Sequence, residues 1–270
     1  MDTAAIARAA RLIGNAEALL VTAGAGLGVD SGLPDFRGRD GFWRAYPALA
    51  RARIAFEEAA CPDTFRRDPH LAWGFYGHRL ALYRRTVPHL GFALLRRWGE
   101  RLPGGLFVLT SNVDGQFAKA GFAAREVCEI HGSIHHLQCL EPCCERIWSA
   151  STLEPRVDEA ECRWLGELPR CPRCGGLARP NILMFGDGAW IAARTRQQQA
   201  ELDVWRRQAG RTVILEIGAG THVPTVRILG EGLGLPLIRI NPGEAEVGSI
   251  PGVGIAAGAR EALEALDAVL

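Results

Sequence analysis

Lysine is nearly absent from this chain: of 31 basic residues only Lys119 is a lysine, and arginine carries the rest of the positive charge. Net charge is scarce as well. The 31 basic residues against 30 acidic ones leave +1, so the charge balance calls for neither a sequence-specific nucleic-acid partner nor an anionic membrane surface. No apolar stretch reaches the roughly 18 residues of a membrane helix. The first residues carry Asp2 and alternating Ala and Arg, not a basic head before an apolar core, which argues against a secretory signal and for a cytoplasmic protein. In that setting eight cysteines point to metal binding or free thiols before disulfides. Internal repeats and low-complexity tracts are missing too. What remains is 270 residues of ordinary globular composition, 48% hydrophobic and 23% charged, enough for one large domain and a small one.

The pattern along the chain predicts an α/β fold. Residues 3–19 carry an apolar stripe (Ile6, Ala9, Ala10, Ile13, Leu19) at helical spacing. Residues 68–86, 89–99 and 259–269 also read as helices. Short apolar strands are expected at Ala18 to Val21, Leu106 to Leu109, Thr212 to Ile217 and Leu237 to Ile240. Each runs into a polar or glycine-rich turn, as in a parallel sheet with ligand groups at the carboxyl ends of its strands. Residues 137–181 interrupt this pattern. They hold six of the eight cysteines, have weak periodicity and read as an inserted module, leaving 1–136 and 182–270 as a Rossmann-like, dinucleotide-binding domain.

The motifs fall at the strand ends. Gly24-Ala25-Gly26 follows the first strand, where glycines let backbone amides approach a pyrophosphate. A Pro-fixed loop with Asp35, Phe36 and Arg37 follows. Ser111, Asn112 and Asp114 end the second strand, and His131 precedes Gly132 after the apolar run at Val127 to Ile130. A neutral imidazole, with its ordinary pKa of about 6.5, suits proton abstraction from a sugar hydroxyl near neutral pH. Cys171 and Cys174 form a C-x2-C knuckle with trailing glycines, a zinc-gripping pattern. Its partner pair is Cys139 with Cys143, which Pro142 favours, or with Cys144. Four thiolates leave no open position, so the zinc would be structural. Tyr76 and Arg79 stand at i and i+3, on one face of the expected helix.

These motifs, in this order, resemble those of the sirtuins, the NAD-dependent protein deacylases. The resemblance runs from Gly24 to Gly38, through Thr110 to Asp114 and His131-Gly132, over both cysteine pairs, to Arg179-Pro180-Asn181, Phe185-Gly186-Asp187, Ile240-Asn241 and Gly258-Ala259. It implies that His131 is the general base and that Asn112 and Asp114 hold NAD and its nicotinamide ribose. It implies that Gly218, Ala219, Gly220, Asn241, Gly258 and Ala259 line the adenosine half, and that Phe185 and Gly186 meet an acylated lysine of a protein substrate. In some sirtuins a Tyr-x-x-Arg pair binds the carboxylate of succinyl- or glutaryl-lysine, a role that would fall to Tyr76 and Arg79. The chain departs from the common pattern at Ala23, Gly28, Ser111, Phe117, Gly220 and Asp187, which keeps ADP-ribosyl transfer to protein, or NAD hydrolysis, as the alternative reaction.

Overall fold

The structure, a computed structural model, describes residues 2–34 and 38–270. Eleven strands are present among them: β1 Ala18–Ala23, β2 Leu106–Thr110, β3 Val127–Glu129, β4 Gly132–Cys139, β5 Ile147–Ser149, β6 Val157–Asp158, β7 Arg163–Trp164, β8 Ala178–Ile182, β9 Thr212–Ile217, β10 Leu237–Ile240 and β11 Gly252–Ile255. Six of them form one sheet in the order β11-β10-β9-β1-β2-β3, and every neighbouring pair is parallel. The chain starts at the centre, moves outward to β3, then returns to β9 beside β1 and moves outward the other way. The reversal lies between β1 and β9, where a doubly wound sheet opens a crevice at the carboxyl ends of its strands.

β1 is buried along its whole length. This explains why its sequence is a continuous apolar run and not an alternating one, since helices cover both faces. The helices Thr3–Gly14, Leu90–Arg101 and Ala259–Asp267 pack on one face, contributing Ile6, Ile13, Leu95, Trp98 and Leu263. Ala193–Gln208 and Thr225–Glu231 cover the other with Leu202 and Val226. The first helix stops at Gly14, short of residue 19, because Asn15 caps it by donating its N–H to the Arg11 and Ile13 carbonyls. Two strands of the sheet lie beyond the four expected ones. β3 has three residues, and β11 is a glycine-broken Gly252–Ile255. Helix Ala193–Gln208 also escapes the apolar pattern, because it buries only Thr195, Gln198 and Leu202. No helix among the described residues is long and apolar enough to cross a membrane.

A second core stands beside the sheet. β4 pairs antiparallel with β5 and β8, and β6 with β7. Their side chains Ile134, Leu137, Trp164 and Ile182 share a cluster with Phe65, Trp73, Phe75, Tyr76 and Tyr83 from helices Pro62–Arg67 and Pro69–Arg85. The cysteine-bearing segment is therefore packed onto a helical layer. Helix Pro69–Arg85 starts with the Asp68 carboxylate accepting from the Leu71 N–H. Its Gly74 is a flat spot that receives the β6–β7 hairpin: a Cβ there would lie 2.0 Å from the Cys162 carbonyl oxygen.

That contact yields a stability prediction. Gly74→Ala gains about 1 kcal/mol of helix propensity but forces a backbone away from a backbone, and overpacking of this kind costs about 1–3 kcal/mol or more. The net outcome expected is a clear drop in the urea midpoint. An unchanged midpoint would mean that the hairpin does not seat on this glycine.

Candidate active site

A cleft of about 420 Å³ opens where β1, β2 and β9 end. Its floor is two turns packed backbone to backbone. A Cβ on Gly24 would lie 2.7 Å from the Gly218 oxygen, and one on Gly26 would lie 2.7 Å from the Gly218 Cα. Gly218 itself sits at φ +64°, in the left-handed region. The Gly24 and Gly26 amides donate to the Ile217 and Gly218 carbonyls, both at 3.0 Å. These glycines thus stitch the two halves of the sheet together at the point of reversal, a structural reason for them that is independent of any ligand. Gly24, Ala25, Gly26, Gly218, Ala219 and Gly220 all line the cleft. Asp35, Phe36 and Arg37 lie outside the described residues.

Ser111, Asn112, Asp114 and His131 face the same space. The Thr110 hydroxyl donates to the Ala23 carbonyl at 3.0 Å and accepts from the Asn112 N–H at 3.0 Å, while Asn112 Nδ2 donates to the Gly24 carbonyl at 2.9 Å. Asn112 is therefore locked between β1 and β2. Asp114 is 8% exposed, and its Oδ1 accepts from the Gln116 N–H at 2.9 Å. Burial drives its pKa up to about 6, helped by the nearby Glu129 charge and opposed by the Gln116 amide and Arg79. His131 lies between β3 and β4, half buried. Burial lowers its pKa, partly offset by the Ser111 backbone, so its imidazole is neutral at pH 7.

The deeper wall is aromatic. Tyr76, Arg79 and Tyr83 line it from helix Pro69–Arg85, with Phe56 and Phe185 at the rim. Tyr76 is fully buried, which pushes its phenol up to about 12, and it stacks on Phe65 at 5.6 Å. Phe185 is 40% exposed and meets Phe56 edge-on at 5.8 Å. The loop that carries Phe185 is tied down by a buried pair that the sequence pattern did not reveal. Arg179 donates to both Asp187 oxygens at 2.7 and 2.8 Å, and Asp187 also accepts from the Met184 and Ala189 amides. Tyr83 was missed as well, although its place four residues after Arg79 on one helical face was a usable signal.

Four expected site residues do not line this cleft. Asn241 is turned inward, its Nδ2 donating to the Ala219 carbonyl and its Oδ1 accepting from the Gly243 and Glu244 amides, all at 3.0 Å. It braces the Gly218–Gly220 turn from below. Gly258 and Ala259 begin the last helix, where Asp30 accepts from the Arg260 N–H at 2.7 Å. Gly186 occupies a turn at φ +65°. A larger groove of about 790 Å³ lies elsewhere, at the amino ends of the strands near Phe107 and Trp205. Ligands of doubly wound sheets bind at the opposite end, so the smaller cleft is the candidate.

The thiols of Cys139, Cys143, Cys171 and Cys174 lie within 4.8 Å of one another. Sulfur separations are 3.6 Å for Cys139 to Cys174 and 3.8 Å for Cys143 to Cys171. A tetrahedral zinc with Zn–S bonds of about 2.3 Å needs sulfurs about 3.8 Å apart, so the donor set fits. Cys144 is 3.8 Å from Cys143 but is not part of the four-thiol group. Of that pair it is Cys143 whose sulfur stands in the four-thiol group that could hold a metal ion.

Comparison with known proteins agrees with this geometry. The Sir2 family profile matches residues 24–219. The chain belongs to the Sir2 family. It is 29% identical over 235 residues to an NAD-dependent protein deacylase of Aquifex aeolicus, covering 86% of each chain. It is 30% identical over 268 residues to one of Thermococcus sibiricus, covering 97% of this chain and 94% of the relative. Among solved structures it is similar to a Sir2 homologue crystallised as an NAD complex, with a TM-score of 0.73 and 25% identity over 100% of this chain and 93% of that one. The Rossmann-like Sir2 sheet and the cysteine cluster are thus both present in this chain.

Two outcomes follow from the site. Cys143→Ser should release about one zinc per chain in metal analysis, whereas Cys144→Ser should retain it; the reverse result would exchange their roles. Asp114 has a folded-state pKa raised above its unfolded value, so its contribution to stability is fully present below about pH 4 and is lost as pH rises through about 6. Asp114→Asn should accordingly raise the melting temperature at pH 8, by an amount on the order of 2 kcal/mol in stability, and leave it unchanged near pH 3.5. A variant that melts lower at pH 8 would show that this carboxylate is not an electrostatic burden on the fold.

Proposed function

We propose that this Sir2 protein is an NAD-dependent protein-lysine deacylase acting in the cytoplasm, with acylated lysine side chains of proteins as its substrates. The observation that carries this reading is the convergence of Asn112, Asp114 and His131 with the Gly24–Gly26 and Gly218–Gly220 turns on one cleft. In this reading 1–136 and 182–270 form the NAD-binding domain, and 137–181 form the zinc module that buttresses the cleft. NAD, when bound, supplies a ribose carbon made electrophilic by its nicotinamide leaving group. The net reaction consumes one water, moves the acyl group from the lysine nitrogen to a ribose oxygen of ADP-ribose, and releases nicotinamide and the free lysine.

The roles of the chain's residues follow from their environment. Asn112 and Asp114 hold the nicotinamide ribose, Asp114 as an ionised carboxylate above about pH 6. His131 takes the proton of a ribose hydroxyl; its depressed pKa keeps the base form available in mildly acidic solution. Asn241 keeps the adenosine-side turn in shape through one of its two amide hydrogens. The apolar wall of Leu33, Val113, Ile182 and Met184 excludes water from the reacting carbon. Tyr76 and Arg79 extend the acyl range to groups that end in a carboxylate, such as succinyl and glutaryl, because a partly dry Arg–carboxylate pair is strong.

The test is a panel of acetyl-, butyryl-, succinyl- and glutaryl-lysine peptides incubated with NAD, with products separated by mass. Free lysine, nicotinamide and acyl-ADP-ribose are expected in equal amounts, and His131→Ala should lower kcat by about 10²–10⁴. Nicotinamide release that needs no acyl peptide, with labelled protein or free ADP-ribose, would replace deacylation by transfer or hydrolysis.

A further inference from the structure

Tyr83 lines the cleft with its hydroxyl already bonded to Arg79, a proposed substrate-binding group. Its hydroxyl oxygen accepts from Arg79 Nε at 3.0 Å and from Arg79 Nη2 at 2.8 Å. Both residues are buried, with exposures of 4% and 7%. The guanidinium also lies against three ring faces, 5.2 Å from the Phe75 centroid, 5.7 Å from Tyr76 and 5.5 Å from Tyr83. A phenol has two lone pairs and one hydrogen. Both lone pairs face Arg79, and the hydrogen meets no acceptor among the described residues. Burial raises the Tyr83 pKa against the pull of Arg79, so that hydrogen is present at neutral pH.

Tyr83 is itself fixed from the catalytic side. Its backbone carbonyl accepts from Gln116 Nε2 at 3.1 Å, and the Gln116 N–H donates to Asp114. At the same helix end Lys119 Nζ donates to the Arg84 carbonyl at 2.6 Å and to the Thr86 carbonyl. The segment that carries Asp114 thereby clamps the last turn of helix Pro69–Arg85 and sets the height of the phenol.

We infer that Tyr83 is a specificity-determining residue: it fixes the plane of the Arg79 guanidinium and gives its own hydroxyl hydrogen to the carboxylate of an acidic acyl-lysine. This rests on the deacylase reading above and adds to it. Tyr76 and Arg79 supply a polar lining and a charge. The direction of that charge comes from Tyr83, because a guanidinium held at both Nε and Nη2 by one oxygen cannot rotate its fork. The substrate class favoured is a lysine acylated by a dicarboxylic acid whose distal carboxylate reaches this point.

The experiment compares wild type, Tyr83→Phe and Arg79→Lys on glutaryl- and acetyl-lysine peptides with NAD. Phenylalanine keeps the ring contacts and removes only the oxygen. The ratio of kcat/KM for glutaryl over acetyl substrate should fall about tenfold or more in Tyr83→Phe, the range for losing hydrogen bonds to a charged group. The loss should appear in the KM of the glutaryl peptide. Arg79→Lys keeps the charge but not the fork held by the phenol, and should lose the same preference if Tyr83→Phe proves too unstable to assay. A ratio unchanged in Tyr83→Phe, or a fall shared equally by both peptides through kcat, would overturn the inference while leaving the deacylase function intact. A wild type that turns over no acyl peptide would remove both.

Discussion

The protein depends on one close approach, that of the turn after β1 to the turn after β9. Only residues without a Cβ allow it, since side-chain atoms on Gly24, Gly26 or Gly218 would fall within 2.7 Å of the facing backbone. The turn after β1 donates hydrogen bonds to the turn after β9, and β1 and β9 continue the pairing in register below them. This contact joins the two halves of the doubly wound sheet and sets the floor of the cleft. Asn112 is bonded to the same point through the Gly24 carbonyl, and Asn241 supports it from the other side through Ala219. The cofactor-facing surface is therefore rigid because the sheet junction is rigid.

Charge is buried where it holds a functional loop. Arg179 and Asp187, both without side-chain exposure, fix the segment that carries Phe185. Arg239 and Glu216 face each other across β10 and β9, and Glu231 reaches Arg239 at 2.5 Å. Arg227 and Glu244 continue this series to Thr221, whose amide and hydroxyl donate to the Glu244 carboxylate. Buried ion pairs add little net stability compared with apolar packing. Their geometric demand, however, is strict, and both sets end at loops that border the cleft. Asp114 is the opposite case. It is a carboxyl held in a site that disfavours its charge, the kind of strain found where chemistry is done.

Much of this was legible in the chain itself. Continuous apolar runs such as Ala18 to Ala23 announce parallel strands because both faces are covered, and the polar residues that end them mark the ligand edge. Local spacing also placed Cys171 and Cys174 on one knuckle. β3 showed only as the apolar run before His131, and β11 and helix Ala193–Gln208 were not legible, for a shared reason: each is short or polar and is held by its neighbours more than by its own pattern. The choice between Cys143 and Cys144 was open in sequence, since one residue of spacing changes little locally. The fold groups Cys143, not Cys144, with Cys139 and the second knuckle, which comes from a different turn.

The sequence by itself determined the four central strands of the sheet, the order of the motifs and the chemistry available, because strand formation, turn formation and thiolate ligation are set by residues close together in the chain. Tertiary structure decided which of those residues share a cavity. It turned Asn241 inward as a brace, carried Gly258 and Ala259 to a helix start, and brought Tyr83 and Asp114 to one wall through Gln116. Those outcomes depend on how separate elements pack and on where burial leaves a polar atom without water, and neither quantity is written in local sequence.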